Sequence, residues 1–132
     1  MRWPVRQFDT GIDVALSVTS ARMLARLSPR ALETIMRFVS RGSMAATFCV
    51  ATKAHADVID SSIGMAGPHS CLPRSISVAL LCRIRGYWPR WCVGVRTHPP
   101  FAAHAWIEAE EHMIGEFTSP GAYQTMISID RR

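Results

Sequence analysis

Cysteine and histidine are the side chains here best suited to nucleophilic chemistry near neutral pH, and their positions sort them. Cysteines stand at Cys49, Cys71, Cys82 and Cys92, and histidines at His55, His69, His98, His104 and His112. A thiol attacks as the thiolate, and a helix N-terminus lowers a thiol pKa through its dipole and its free N–H groups. Cys71 follows a loop containing Ile63-Gly64-Met65-Ala66-Gly67-Pro68 and opens a segment with helical spacing. Its thiol is therefore expected at a helix start, where its own N–H could face a developing oxyanion. Cys49 and Cys82 fall inside apolar helical segments and Cys92 in mid-strand, positions that suit packing. Such a thiol also needs a base, and the base needs an orienting group. His104 lies between the small residues Ala103 and Ala105 and beside Trp106, which leaves room around the ring. His98 and His112 belong to polar connections, His55 to a helix, and His69 to the loop just before Cys71.

The orienting group depends on a hairpin. A three-residue turn centred on Glu110 sets His104 opposite Glu116, and opposed side chains on one face stand about 5 Å apart at Cβ. A carboxylate there would hold the imidazole in one tautomer. A two-residue turn at Glu110-Glu111 instead sets His104 opposite Phe117 and sends Glu116 to the other face. Glu108, and Asp57 or Asp60 from the helical part, are the other acids considered for this role.

The elements that must position these residues follow from periodicity. Asp13 to Leu27 reads as a helix with Leu16, Met23, Leu24 and Leu27 as its apolar positions. Ser28 and Pro29 have the types favoured at the N-cap and first helical position, and Leu32, Ile35, Met36 and Val39 follow at the spacing of one buried stripe. Gly42 closes that helix. Ser43 is expected to cap a buried helix over Met44 to Ile59. A helix over Leu72 to Arg85 has Leu72, Ile76, Ala79, Leu80 and Ile84 inward and ends at Gly86. Alternation then marks strands at Trp91 to Val95, Ala103 to Glu108, Met113 to Phe117 and Tyr123 to Ile129. Helices followed by an antiparallel meander make an α+β domain.

Composition bounds the function classes. At 132 residues, 48% of them apolar and 19% charged, the chain is expected to form one domain over residues 1–132 with a real core. Its helical part spans about residues 13–62, and a helix with a sheet spans about 68–130. The net charge is +5, and of fifteen basic residues only Lys53 is lysine. The arginines are spread along the chain rather than clustered, which argues against a nucleic-acid partner. No stretch approaches the ~20 apolar residues of a bilayer span, and Met1-Arg2-Trp3-Pro4 does not begin a signal peptide. A cytoplasmic protein without disulfides is expected. Cys82, Cys92, His98 and His104 are the set weighed for zinc, but the spacing lacks the close pairs such a site favours. No metal and no cofactor is expected.

Taken together and in order, several stretches resemble a known family. They are Cys71-Leu72-Pro73-Arg74-Ser75, the helix end Arg85-Gly86, Trp91-Cys92-Val93-Gly94-Val95-Arg96, Pro100-Phe101-Ala102-Ala103-His104-Ala105-Trp106-Ile107-Glu108, and Ile114-Gly115-Glu116. The chain is similar over about residues 70–117 to the transglutaminase-like leader peptidases of lasso-peptide biosynthesis, the cysteine-protease half of a maturation protein often split in two. The resemblance implies a papain/transglutaminase-like fold, with N-terminal helices and a catalytic helix packed on a small antiparallel sheet. It matches Cys71 to the nucleophile, His104 to the base and Glu116 to the acidic third member. Arg74 and Ser75 would support the helix start, and Trp106 would wall the base. Apart from the resemblance, His69 and the backbone of the Gly67 to Ser70 loop are the candidates for a second oxyanion donor. The implied partners are the leader region of a precursor peptide, a separate leader-recognition protein and a macrolactam synthetase. An acyltransferase of the same class and a non-enzymatic interaction module are the competing readings.

Overall fold

Local sequence rules account for the helix starts. The structure, a computed structural model, describes residues 11–61, 65, 70–116 and 121–130. Helix α1 spans Ile12–Leu24, α2 Pro29–Val39, α3 Phe48–Ser61 and α4 Cys71–Ile84. The Ser28 hydroxyl accepts the Ala31 N–H at the start of α2, with Pro29 in the first turn. Leu32 and Met36 form its buried stripe, and Gly42 beyond its end has φ +75, as a left-handed helix exit requires.

Two helices depart from the expected pattern. Met44–Ala45 is a short strand, β1, and α3 begins four residues later at Phe48. Its N-terminus is capped from a distance: the Phe48 N–H donates to Glu110 Oε1 at 3.0 Å, an anion at the positive end of the helix dipole. Only Ala51, Ala54 and Val58 of α3 are buried, so it is a surface helix with one narrow inner face, and Cys49 is exposed on it. In α1 the buried face is Asp13, Val14, Ser17, Val18 and Ala21, while Leu16 and Met23 point to solvent. Small side chains on that face let α1 approach α4 closely; the larger residues are left outside.

Helix α4 is the centre of the packing. It touches α1, α3 and the strands, and every residue from Ser75 to Ala79 is buried. Its hydroxyls are satisfied within the helix, Ser75 Oγ–H to the Leu72 carbonyl at 2.9 Å and Ser77 Oγ–H to the Pro73 carbonyl at 2.7 Å, so neither buried hydroxyl is stranded. Ile84, at the last turn, is exposed, because the helix emerges there. Arg85 ties the helices together at that end. Its guanidinium reaches Asp57 at 2.9 Å and the almost fully buried Asp13 at 3.3 Å.

The remaining strands are β2 (Tyr87–Trp88), β3 (Arg90–Arg96), β4 (Ala103–Ala109), β5 (His112–Met113) and β6 (Tyr123–Ile129). Strands β1 and β2 pair in parallel, and the others form an antiparallel sheet in the order β5-β4-β3-β6. The sheet is thus not a meander: β6 returns to the far edge of β3 rather than pairing with β5. The reason lies in the short β4–β5 hairpin. Its rungs are Glu108 with Met113 and Ala109 with His112, a two-residue turn whose Glu110 and Glu111 have φ 51 and 67. Both central residues in the left-handed region make the turn type that matches strand twist. Pairing ends at Met113, and the chain leaves the sheet at Gly115, whose φ is +75. The third strand expected to reach Phe117 therefore stops early, and Phe117 lies outside the described residues. Trp88 and Trp91 fill the core and bury their indole N–H groups against acceptors, the Ile129 carbonyl at 3.0 Å and Ser75 Oγ at 3.1 Å.

Two stability outcomes follow. Arg85→Ala strands the buried Asp13 carboxylate without its cation and should cost about 3 kcal/mol, read as a lower midpoint in urea unfolding at neutral pH. Glu111→Gly relieves a left-handed glutamate and should add about 1 kcal/mol, a rise of roughly 4 °C in Tm. A fall in Tm would contradict the two-residue turn.

Candidate active site

Cys71 is the first residue of α4. Intrahelical pairing begins with the Arg74 N–H, which donates to the Ser70 carbonyl at 2.8 Å. The N–H groups of Cys71 and Leu72 thus have no helical acceptor, and Pro73, which has no N–H, sits where none is needed. The start of the helix is held to the sheet by the relay from the Trp91 indole through Ser75 Oγ to the Leu72 carbonyl. Arg74 donates to the Met65 carbonyl at 3.0 Å. Both residues thus brace the segment that carries the thiol.

The sheet brings His104 to the thiol. The Arg96 N–H to Ala102 carbonyl bond (3.1 Å) and the Ile114 N–H to Ile107 carbonyl bond (3.0 Å) set the phase of the β4 ladders. His104 and Trp106 turn their backbone groups toward β3, and Ala105 and Ile107 turn theirs toward the β5 edge. Because β5 is only two residues long, the Ala105 N–H has no strand partner among the described residues, and it turns to the Cys71 sulfur instead. The sulfur thus lies at the open edge of β4, next to His104.

His104 is half-buried and bonded on both sides. Its Nε2 contacts Glu116 Oε1, which leaves the other ring nitrogen for its hydrogen bond with Cys71. Directly across the ladder stands Gly94. A Cβ on Gly94 would come within 2.2 Å of the Gln124 carbonyl oxygen and 2.9 Å of the Trp106 ring, so only glycine admits the aromatic group here. That group is Trp106, stacked on His104 at 5.8 Å between centroids, and Tyr123 from β6, stacked on His104 at 4.8 Å. The rings shield one side of the imidazole–carboxylate contact from water.

Electrostatics shift this pair toward thiolate and imidazolium. The hydrogen bond with His104 is the largest influence on the Cys71 thiol. With the Ala105 N–H, the His104 charge and Arg74, it outweighs burial and lowers the thiol below its ordinary value. His104 is pushed up to about 9, first by Cys71 and then by Glu116, against desolvation. The imidazolium contacts hold fully below the ordinary histidine value and are lost as pH rises through about 9. The thiolate contacts are lost as pH falls through the lowered Cys71 value. Between those limits the site holds thiolate and imidazolium together. Cys82 and Cys92, both buried, are pushed up to about 12, chiefly by desolvation.

The other expected participants are elsewhere. Glu108 accepts the Trp106 indole N–H at 3.1 Å and faces Arg90 at 3.6 Å. Asp57 binds Lys53 and Arg85, which hold its carboxyl below the usual range despite burial, at the far end of α4 from Cys71. Asp60 is exposed on α3, as are His98 in its connection and His112, which stands in strand β5 rather than in a connection. His69 lies outside the described residues. Among the described residues no group of three or more His, Cys, Asp or Glu is placed to hold a metal, and Cys82, Cys92, His98 and His104 do not gather. No described helix is long and apolar enough to cross a membrane. A cavity of about 310 Å³ is lined by Trp88, Arg90, Glu108 and Asp130 among others and by none of Cys71, His104 and Glu116.

Sequence reasoning missed Tyr123, whose place over His104 depends on β6 pairing with β3, and the Ala105 N–H, whose freedom depends on the shortness of β5. It reached Glu116 through the wrong register. With the two-residue turn, continued pairing would carry Glu116 to the other face. The turn at Gly115 takes it out of the ladder and back to His104.

The model of a protein family, the transglutaminase-like superfamily, matches residues 14–128. No curated protein and no solved structure matches the chain significantly.

With iodoacetamide at pH 6–7, Cys71 should be alkylated first, Cys49 more slowly, and Cys82 and Cys92 only on unfolding. The Cys71 rate should titrate below the ~8.5 of a free thiol, and His104→Ala should return it to that range. Peptide mapping reads each site; uniform labelling of all four cysteines would contradict the ion pair.

Proposed function

From the premise that the chain belongs to the transglutaminase-like superfamily, a class of cysteine proteases and acyltransferases, we propose that it is a cysteine endopeptidase that removes the leader from a ribosomally made lasso-peptide precursor. The carrying observation is the Cys71–His104–Glu116 relay, in which a half-exposed thiol at a helix start meets a cationic imidazole backed by a carboxylate. The choice of a lasso-peptide leader as substrate rests on the motif resemblance over about residues 70–117.

In this reading the Cys71 thiolate attacks the carbonyl carbon at the leader–core junction. The Cys71 N–H faces the developing oxyanion. The His104 imidazolium gives its proton to the leaving amine of the core, and the C–N bond breaks to leave a thioester of the leader on Cys71. His104, now neutral, takes a proton from water as it attacks the thioester. The leader leaves with a free carboxylate, and the returned proton restores the ion pair. Glu116 acts through His104 as a positioning residue, holding the ring and balancing its charge. Arg74, Ser75 and Trp106 support the thiol and the base, with His69 in the loop before Cys71. A separate leader-recognition protein delivers the precursor, and a macrolactam synthetase takes the freed core; the reaction occurs in the cytoplasm and needs no cofactor.

The competing acyltransferase reading uses the same thioester and differs only in the acceptor. Incubation of the protein with precursor and leader-recognition protein, followed by intact mass, separates the two: hydrolysis adds one water, and transfer adds the amine. Cys71→Ala should abolish cleavage while leaving the circular dichroism spectrum unchanged, and His104→Ala should slow it by at least about 10²-fold. Glu116→Gln should cost less than His104→Ala. Full activity of Cys71→Ala would overturn the mechanism, and a loss at Glu108 but not at Glu116 would move the orienting role to Glu108.

A further inference from the structure

Glu116 has a second neighbourhood besides His104. The residue before it, Gly115, has φ +75, and a Cβ there would come within 2.3 Å of both Cε1 and Nε2 of His55. The imidazole of His55, carried by α3, therefore lies directly against the Gly115 backbone. His55, Arg74, Ser75, Trp106, Ile114 and Glu116 line one small cavity of about 10 Å³, no larger than a single water-sized sphere. Glu116 Oε1 is taken by His104, while Oε2 is buried and has no hydrogen-bond partner among the described residues.

Among the described residues the turn that carries Glu116 has few backbone ties. The last rung of the β4–β5 pairing is Glu108 with Met113, and after the Ile114 N–H bond to Ile107 no further ladder bond to a described residue fixes Gly115 or Glu116. A glutamate side chain on a loose turn would lose rotamer entropy on docking and would sample positions away from the ring. A rigid ring pressed on the turn removes that freedom.

We propose that His55 is a positioning residue for Glu116: its ring braces the Gly115 backbone and keeps the carboxylate on His104. This rests on reading Cys71 and His104 as a reacting pair, but not on which peptide is cut. The charged groups facing His55 are Arg74 from α4 and Glu116. Burial first and then Arg74 lower its pKa, against the pull of Glu116, so the ring braces the turn as a neutral group and does not compete with His104 for the carboxylate. Gly115 is the counterpart of this arrangement, because any side chain there would displace the ring.

The test uses the full chain and the pH dependence of Cys71 alkylation by iodoacetamide, a readout that needs no precursor. His55→Ala should raise the midpoint by about one pH unit, so that alkylation below it slows about tenfold. His55→Gln, which refills the space, should restore most of the rate. In a Glu116→Gln background, His55→Ala should change nothing further, because both act through the same carboxylate. A purely structural role would lower Tm and leave the midpoint where it is, and that result overturns the proposal. An equal shift in both backgrounds also overturns it. Should His55→Ala not fold, Gly115→Ala drives a methyl into the ring and must raise the midpoint; an unchanged midpoint again overturns the proposal. A wild-type midpoint at the ordinary thiol value removes the reacting pair itself, whereas a lowered midpoint without any cleavage leaves His55 in place and discards only the leader-peptidase reading.

Discussion

The bond between the Ala105 N–H and the Cys71 sulfur joins the two halves of the molecule at the point where charge must be held. An open rung on the edge of β4 is a strong, directed donor in a partly dry place, and an unpaired donor there would be costly. Filling it with a thiolate satisfies the strand and stabilises the anion together. The same contact sets the sulfur beside His104, one residue away. Everything that fixes the edge of β4 and the start of α4 relative to each other therefore bears on the chemistry.

Much of the fold does that. Helix α4 is enclosed by α1, α3 and the strands, so it cannot slide without opening the core. Trp91 and Ser75 link its first turns to β3, and Arg85 links its last turn to α1 and α3. On the sheet side, Gly94 lets Trp106 and β6 come close, and the resulting aromatic group limits where the His104 ring can go. The Cys71 thiol and the His104 ring are thus each held from behind, and their contact is organised before any ligand arrives.

The cysteines show how environment separates identical side chains. Cys82 and Cys92 lie in the interior, where the loss of hydration outweighs the pull of Arg85 on the one and of Arg90 on the other, and they are held as neutral thiols. Cys71 is partly buried as well, yet an N–H and an imidazolium face it, and the balance reverses. Burial alone would have kept the Cys71 thiol protonated; burial beside a cation favours its thiolate.

What the sequence by itself determined about this protein is local. Ser28-Pro29 starts a helix and Gly42 ends one, because capping and left-handed exits are settled within a few residues. Cys71 stands at a helix start for the same reason, and the alternation over Trp91 to Arg96 and Ala103 to Glu108 marks strands because a half-buried sheet demands it. The motif order around Cys71 and His104 was also legible. Tertiary structure decided the rest, wherever a choice depended on partners distant in the chain. The β4–β5 turn lacks the glycine that would announce its type; its register emerges when Glu110 docks on α3, and only then does Gly115 have to redirect the chain. The edge on which β6 pairs, and with it the place of Tyr123 over His104, depends on which strand still has an open side. The buried face of α1 is its small one because α4 leaves room for no other. The pairing of His55 with Gly115 belongs to the same class: sixty residues of sequence separate them, and only the packing of α3 against the sheet brings ring and backbone together.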